Sequence, residues 1–186
     1  MSELWLVRHA ETAWSKAKRH TGRTDIELTD AGREAARALA ERLDGPAFGA
    51  VLTSPLARAR ETCELAGFGA RAEARDELLE WHYGAYEGLT TEQIRAARTD
   101  WYLWRDGCPG GESAFDVARR VDGLIDELLG RDAPSLLFAH GHVLRVLAAR
   151  WIGLPPGDGG VLALDPASVS VLGFERSVRV LRRWNA

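Results

Sequence analysis

Apolar residues in this chain gather in short runs, and between the runs they recur at helical spacing. Leu4-Trp5-Leu6-Val7, Ala50-Val51-Leu52-Thr53 and Ser135-Leu136-Leu137-Phe138-Ala139 have the length and composition of buried parallel strands. Thr29 stands where it would cap a helix in which Ala35, Ala36, Leu39, Ala40 and Leu43 keep helical spacing as far as Gly45. Ser54-Pro55 reads as an N-cap followed by proline at the first helical position, opening a helix to roughly Ala66. Ser113 is placed to cap a long amphipathic helix with Phe115, Val117, Ala118, Val121, Leu124, Ile125, Leu128 and Leu129 on one stripe, ending at Gly130. A further helix is expected from Val143 to about Trp151.

Lesser features complete the outline. A short strand is expected within residues 70–79, and Thr90 with Gln93 makes a capping box for a short helix. Closing strands are read at residues 161–164, 168–174 and 178–182. Residues 13–25 are polar and basic with no apolar stripe, and residues 107–111 and 155–160 are rich in glycine and proline, so all three predict loops. Trp101-Tyr102-Leu103-Trp104 is an aromatic cluster better suited to a core than to a substrate platform. Strands alternating with helices predict a single α/β domain over residues 1–186, three layers deep, with helices on both faces of a mostly parallel, doubly wound sheet.

Composition narrows the partners. With 186 residues, 46% of them hydrophobic, the chain can bury a core without disulfides. A formal charge of -3 provides no basic excess for a nucleic-acid backbone, so no nucleic-acid partner is expected. Cys63 and Cys108 lack any C-x-x-C spacing, which argues against a zinc site or a disulfide framework and for a reducing, cytoplasmic setting. No apolar run is long enough to span a bilayer, and Met1-Ser2-Glu3 leads directly into the first strand without a signal-like segment. No membrane partner is expected, and the oligomeric state is left open, a homo-oligomer included.

The chemistry lies at the strand ends. In open α/β sheets ligands sit in the crevice beyond the strands' carboxyl ends, and there this chain places Arg8-His9, Arg58 and His140, with Glu80 in a fourth polar segment. Arg8 and Arg58 can hold a phosphoryl group through paired charge-assisted hydrogen bonds, and the start of the helix after His140 offers backbone N–H groups to an anion. His9, neutral near pH 7, is the candidate nucleophile, and His140 would stabilise the transferring charge. Glu80 is the candidate general acid, provided that burial among aromatic neighbours raises its pKa. A metal hydrolase using His9, His140 and His142 is the competing chemistry; Arg8 beside a dication and the lack of any H-E-x-x-H spacing oppose it. His142 alone reads as a helix-capping histidine.

Four ordered segments carry a resemblance: Arg8-His9-Ala10-Glu11-Thr12, Ser54 to Thr62, Glu80 to Gly88 and Ala139-His140-Gly141-His142. Together they resemble the histidine phosphatase, phosphoglycerate-mutase-like, superfamily over nearly the whole chain. The resemblance implies His9 as phosphoryl acceptor, Arg8, Arg58 and His140 as phosphoryl ligands, Glu80 as proton donor, and neither metal nor cofactor. By the same likeness Ser15, Thr21 and Gly22 would line the phosphate pocket, with Tyr83 and Gly141 as substrate contacts. Ala10 departs from the family's usual glycine, which alanine can replace without strain only at negative φ. Residues 88–112 are short and lack the Arg-Arg pair of cofactor-dependent mutases, so the likeness is greatest to the branch holding sedoheptulose bisphosphatases and actinobacterial-type acid phosphatases. In that branch the arginine matching Arg145 grips a substrate's far phosphate, although Arg145 equally suits a helix surface. The implied activity is a metal-independent phosphomonoesterase acting on a small phosphorylated metabolite such as a sugar phosphate or bisphosphate. A 2,3-bisphosphoglycerate-dependent phosphoglycerate mutase and a non-catalytic phospholigand-binding domain are the alternatives. Specificity is expected to lie in residues 13–25 and 98–112.

Overall fold

The computed structural model describes residues 2–186. Its six strands, β1 (Leu4–Arg8), β2 (Ala50–Thr53), β3 (Ala72–Ala74), β4 (Ser135–Ala139), β5 (Val169–Glu175) and β6 (Val178–Arg183), form one sheet in the order β3-β2-β4-β1-β5-β6. The first four pair in parallel, whereas β5 runs antiparallel to β1 and carries β6 as an antiparallel hairpin partner. The helices are α1 (Ala13–Lys16), α2 (Asp30–Arg42), α3 (Ala57–Leu65), α4 (Thr91–Ala97), α5 (Leu103–Asp106), α6 (Ala114–Leu129) and α7 (Gly141–Trp151).

Strand side chains alternate between faces, and the two cores follow that alternation. Leu4, Leu6, Leu137 and Ala139 pack with α6 and α7 through Val121, Leu124, Val143 and Leu147. Val7, Leu136 and Phe138 point the other way, onto Ala36 and Leu39 of α2 and Cys63 of α3. Strands buried on both sides read as continuous apolar runs, which is why β1, β2 and β4 were visible as such.

Several expectations need correction. Residues 13–25 are not entirely loop: Thr12 and Ser15 form a reciprocal capping box around the single turn of α1. Ser54 and Pro55 do not open α3, which starts at Ala57 after Leu56, because the Ser54 hydroxyl is engaged with His140. Helix α7 begins at Gly141 rather than Val143, and residues 161–164 form no strand: Val161 ends a 3-10 helix, Pro156–Val161, and residues 162–164 follow it. Phe115 is 71% exposed and Ala35 and Ala40 lie at the surface, so the buried stripes of α6 and α2 are narrower than their sequence patterns.

Backbone bonds extend the sheet past its strand ends, which builds the site. His9 N–H donates to Ala139 O at 2.8 Å and Ser54 N–H to Phe138 O at 2.9 Å, so His9, Ser54 and His140 emerge side by side. The Glu80 segment is laced to residues 107–112: Ala85 N–H donates to Pro109 O and Glu112 N–H to His82 O. Gly84 sits at φ +51°, where a Cβ would stand 2.2 Å from Pro109 O. Gly84→Ala should therefore cost ~2 kcal/mol or more of stability, from left-handed strain plus forced separation of the two loops. Urea unfolding, with the m-value unchanged, is the measurement.

Candidate active site

A cleft of about 400 Å³ opens at the carboxyl edge of the parallel strands. Arg8, His9, Ser15, Thr21, Glu80 and Tyr83 line it, and Gly141, His142 and Arg145 from α7 complete the wall. Arg8 and His9 reach it from the end of β1, and Glu80 and Tyr83 come from the irregular segment between β3 and α4.

His9 is buried, and its Nδ1 lies 2.8 Å from Ala10 O. A carbonyl can only accept, so Nδ1 carries the proton and the Nε2 lone pair is left for chemistry. Burial, then the charges of Arg58 and Arg8, holds the imidazole's pKa well below its ordinary value. His9 is neutral throughout the physiological range. Ala10 is absent from the positive-φ residues, and its methyl joins the core beneath the sheet. Alanine in place of the usual glycine is therefore unstrained.

Arg8 anchors one end of its guanidinium on Leu164 O, while its Nε is buried without a hydrogen-bond partner among the described residues. Such a buried donor is costly unless an acceptor reaches it. Gly141 allows the close approach, since a Cβ there would stand 3.3 Å from that nitrogen.

Arg58 and His140 are brought to the same place, but behind the cleft wall. Both are wholly buried. Arg58 donates to Thr24 O, Thr21 O and Gly22 O, and its Nε donates to His140 Nδ1 at 3.1 Å. His140 must then carry its proton on Nε2, which points to Ser54 Oγ at 2.7 Å. The His9 and His140 rings are 5.1 Å apart. With both its nitrogens committed to protein partners, His140 offers no lone pair to a metal ion. Gly22 does not line the cleft; it lies beneath, where Arg58 and Glu87 hold its backbone. Ser15 and Thr21 do line it.

Glu80 departs most from expectation. Its carboxylate accepts from Trp81 N at 2.9 Å, His142 N at 3.1 Å and Val143 N at 2.9 Å, which makes it the cap of α7. The N-terminus that was to receive a substrate anion is occupied by the protein's own. Burial pushes the carboxyl's pKa up, but His142, His140 and the Trp81 N–H outweigh it and hold the group well below the usual carboxylate range. Glu80 is thus ionised in the free protein, contrary to the raised pKa expected of it.

His142, read as a capping residue, belongs to the site: its Nδ1 lies 2.6 Å from Tyr83 Oη and 3.8 Å from Glu80 Oε2. His20, which sequence reasoning left in a loop, lies tilted against Tyr83 with ring centroids 4.9 Å apart, and burial, then His142, lowers its pKa to about 4. The only sequence signal for His20 was its place in the basic segment shortly after His9. Arg145 is half-buried, lines the cleft, donates to Gly159 O and Gly160 O, and lies 4.5 Å over the Trp104 ring. Trp101 is core, as expected.

Comparisons with known proteins identify the chain's relatives. A model of the histidine phosphatase superfamily (branch 1) matches residues 4–186. The chain is 43% identical over 187 residues to an acid phosphatase of Mycobacterium tuberculosis, covering 96% of this chain and 89% of that protein. It is 35% identical over 181 residues to sedoheptulose 1,7-bisphosphatase of Saccharomyces cerevisiae, covering 80% and 67%. The solved structure of a Mycobacterium tuberculosis open reading frame superposes with a TM-score of 0.92 at 41% identity, covering 99% and 97%.

The buried histidines set the acid limit of stability. His9, His20, His140 and His142 all have lowered pKa values, with burial the largest cause in each. The unfolded chain therefore binds more protons than the folded one below about pH 6.5, and stability falls as pH falls from there. Glu80, also lowered, extends the loss below the ordinary carboxylate pKa. Each neutral buried histidine should contribute up to ~1.4 kcal/mol of destabilisation per pH unit in that window. Scanning calorimetry between pH 7 and pH 4.5 checks this, and His20→Asn should make the decline shallower.

Proposed function

The chain belongs to the histidine phosphatase superfamily (branch 1), and on that footing we propose that it is a metal-independent phosphomonoesterase working through a phosphohistidine on His9. The observation that carries the reading is the buried Arg8 Nε, without a partner among the described residues, in a cleft shared with His9, whose Nδ1–H is tied to Ala10 O. A phosphoryl oxygen is the acceptor that suits Arg8, and it would set phosphorus in front of His9 Nε2.

In this reading Arg8 binds the phosphoryl group directly. Arg58 supplies a fixed positive charge from behind and orients His140, whose Nε2–H can turn from Ser54 to a phosphoryl oxygen. The His9 Nε2–P bond forms as the bond from phosphorus to the leaving oxygen breaks, and Glu80 returns a proton to that oxygen. A bound phosphoryl dianion raises the Glu80 pKa by its own charge, so protonation accompanies substrate binding. Water then attacks phosphorus, loses its proton to Glu80 and frees His9. Ser15, Thr21 and Tyr83 meet the rest of the substrate, and Arg145 takes a second anionic group. A small phosphorylated metabolite, such as a sugar phosphate or bisphosphate, fits a basic cleft of this size.

The acid phosphatase and bisphosphatase relatives favour hydrolysis over phosphoryl transfer between two positions of a glycerate. The unstrained Ala10 removes the feature that would have suggested a pocket without turnover. A reducing, cytoplasmic setting forms part of the proposal, since Cys63 and Cys108 are both free and buried.

The test is phosphate release from sugar bisphosphates, phosphoglycerates and nucleotides in the presence of chelator, with mutase activity followed alongside using 2,3-bisphosphoglycerate. Activity should survive chelation, His9→Ala should abolish release while the fold persists, and labelled phosphate should be trapped on His9 of the native protein. Glu80→Gln should lower the rate on alkyl phosphates by ~10²- to 10⁴-fold. Undiminished release by His9→Ala would refute the reading.

A further inference from the structure

Glu80 poses a problem that its neighbours resolve. A carboxylate with three backbone N–H donors holds a proton poorly, yet the leaving oxygen needs one. The nearest second base is His142, whose Nδ1 is 3.8 Å from Glu80 Oε2. That nitrogen also lies 2.6 Å from the hydroxyl of Tyr83. Burial raises the Tyr83 pKa well above its ordinary value, so the hydroxyl keeps its proton and can donate it to Nδ1 when His142 carries its own proton on Nε2. Burial lowers the His142 pKa, so the ring is neutral in the free protein, and the tautomer protonated on Nε2 is the one that accepts from Tyr83. The charged and titratable groups facing it are Glu80 and Tyr83 from the segment before α4, Arg145 on α7, Arg8 at the end of β1 and His20 from the loop after α1. The Trp81 and Trp104 rings close the remaining sides at 6.2 and 5.3 Å.

Resting on the phosphomonoesterase reading, we propose that His142 is a positioning residue that forms with Glu80 a two-site proton store, tuned by the Tyr83 hydroxyl. The proton taken up with the phosphoryl dianion belongs to the pair rather than to either member. Protonated His142 turns Nδ1–H toward Glu80 Oε2, and Tyr83 becomes the acceptor or rotates away. During transfer the His9 Nε2–P bond forms and the P–O bond to the leaving group breaks. The stored proton passes from His142 Nδ1 through Glu80 to the leaving oxygen, which leaves Glu80 ionised and His142 neutral. In the second half-reaction the attacking water gives a proton to Glu80, which passes it back to His142 as phosphate forms. Ester and water become alcohol and phosphate, and the store ends as it began.

Opposite responses of two variants test this. His142→Gln removes one of the two proton sites, so the basic limb of the kcat–pH profile should move to lower pH by roughly one unit. Tyr83→Phe removes the donor that opposes protonation of Nδ1, so the same limb should move to higher pH. In His142→Gln the rate on an alkyl phosphate should fall about tenfold more than on a nitrophenyl phosphate, whose leaving group needs no proton. Calorimetric titration with inorganic phosphate at pH 7, in buffers of different ionisation enthalpy, provides a readout without turnover: the native protein should take up protons, and His142→Gln clearly fewer. Should His142→Gln fail to fold, Tyr83→Phe and the native titration decide. Limbs that stay in place, or that move in the same direction, overturn the proposal, as does unchanged proton uptake. Phosphate binding with proton uptake but no turnover of any ester would sink the phosphomonoesterase reading and leave the proton store standing.

Discussion

The contact on which most of this site depends is the Glu80 carboxylate lying across the N-terminus of α7. Helix N-termini present N–H groups without internal partners, and a carboxylate satisfies them better than a neutral cap. Glu80 takes the His142 and Val143 N–H groups and that of Trp81 with one side chain. The irregular segment that carries Tyr83 is thereby fixed to the helix that carries His142 and Arg145. Arg120 and Glu112 brace the segment from the other side: Arg120 donates to Glu77 O and Glu80 O, and Glu112 receives His82 N–H. Its burial at 5% exposure is sustained by these donors rather than by a paired cation.

The site arginines and the surface arginines are satisfied in different ways. Arg75 bridges Glu77 and Glu127, Arg150 grips Asp122, and Arg105 pairs with Asp106, so those charges are largely cancelled where they stand. In the cleft wall Arg8 donates to Leu164 O, Arg19 to Gly88 O and Arg145 to Gly159 O and Gly160 O, and behind it Arg58 donates to three carbonyls. A carbonyl completes a hydrogen bond without contributing a net charge. The guanidinium groups are thus held in place while their positive potential persists, which suits an anionic ligand in a chain whose overall charge is -3.

Residues far along the chain help to hold Arg8. Its anchor, Leu164 O, lies in a loop that reverses at Ala167, where φ is +55° and the N–H reaches back to Arg8 O. The final residues clamp that loop: Trp184 donates to Ala163 O, Asn185 pairs twice with Asp165, and Ala186 exchanges backbone bonds with Val169. Arg42 on α2 ties Ala167 to Ala186. A left-handed alanine costs about 1–2 kcal/mol, and its retention is consistent with a loop determined from several directions.

The sequence by itself determined the α/β alternation, the apolar strands β1, β2 and β4, the caps at Thr29, Thr90 and Ser113, and the placing of Arg8, His9 and His140 at strand ends. These depend on local periodicity and on where apolar runs stop, which a linear pattern carries. Tertiary structure decided what each polar group does. Ser54 reads locally as a helix cap, yet its hydroxyl goes to His140 across the sheet; His142 reads as a cap, yet Glu80 does the capping and His142 turns to Tyr83. Arg58 is legible as a phosphate ligand but stands buried behind His9, and Gly22 supports it from below the cleft. The direction of the Glu80 pKa was not readable at all, because aromatic neighbours and burial argue for a rise. Only three-dimensional contact sets His142 and His140, from sixty or more positions along the chain, beside a carboxylate already bonded to the Trp81 N–H, and reverses it.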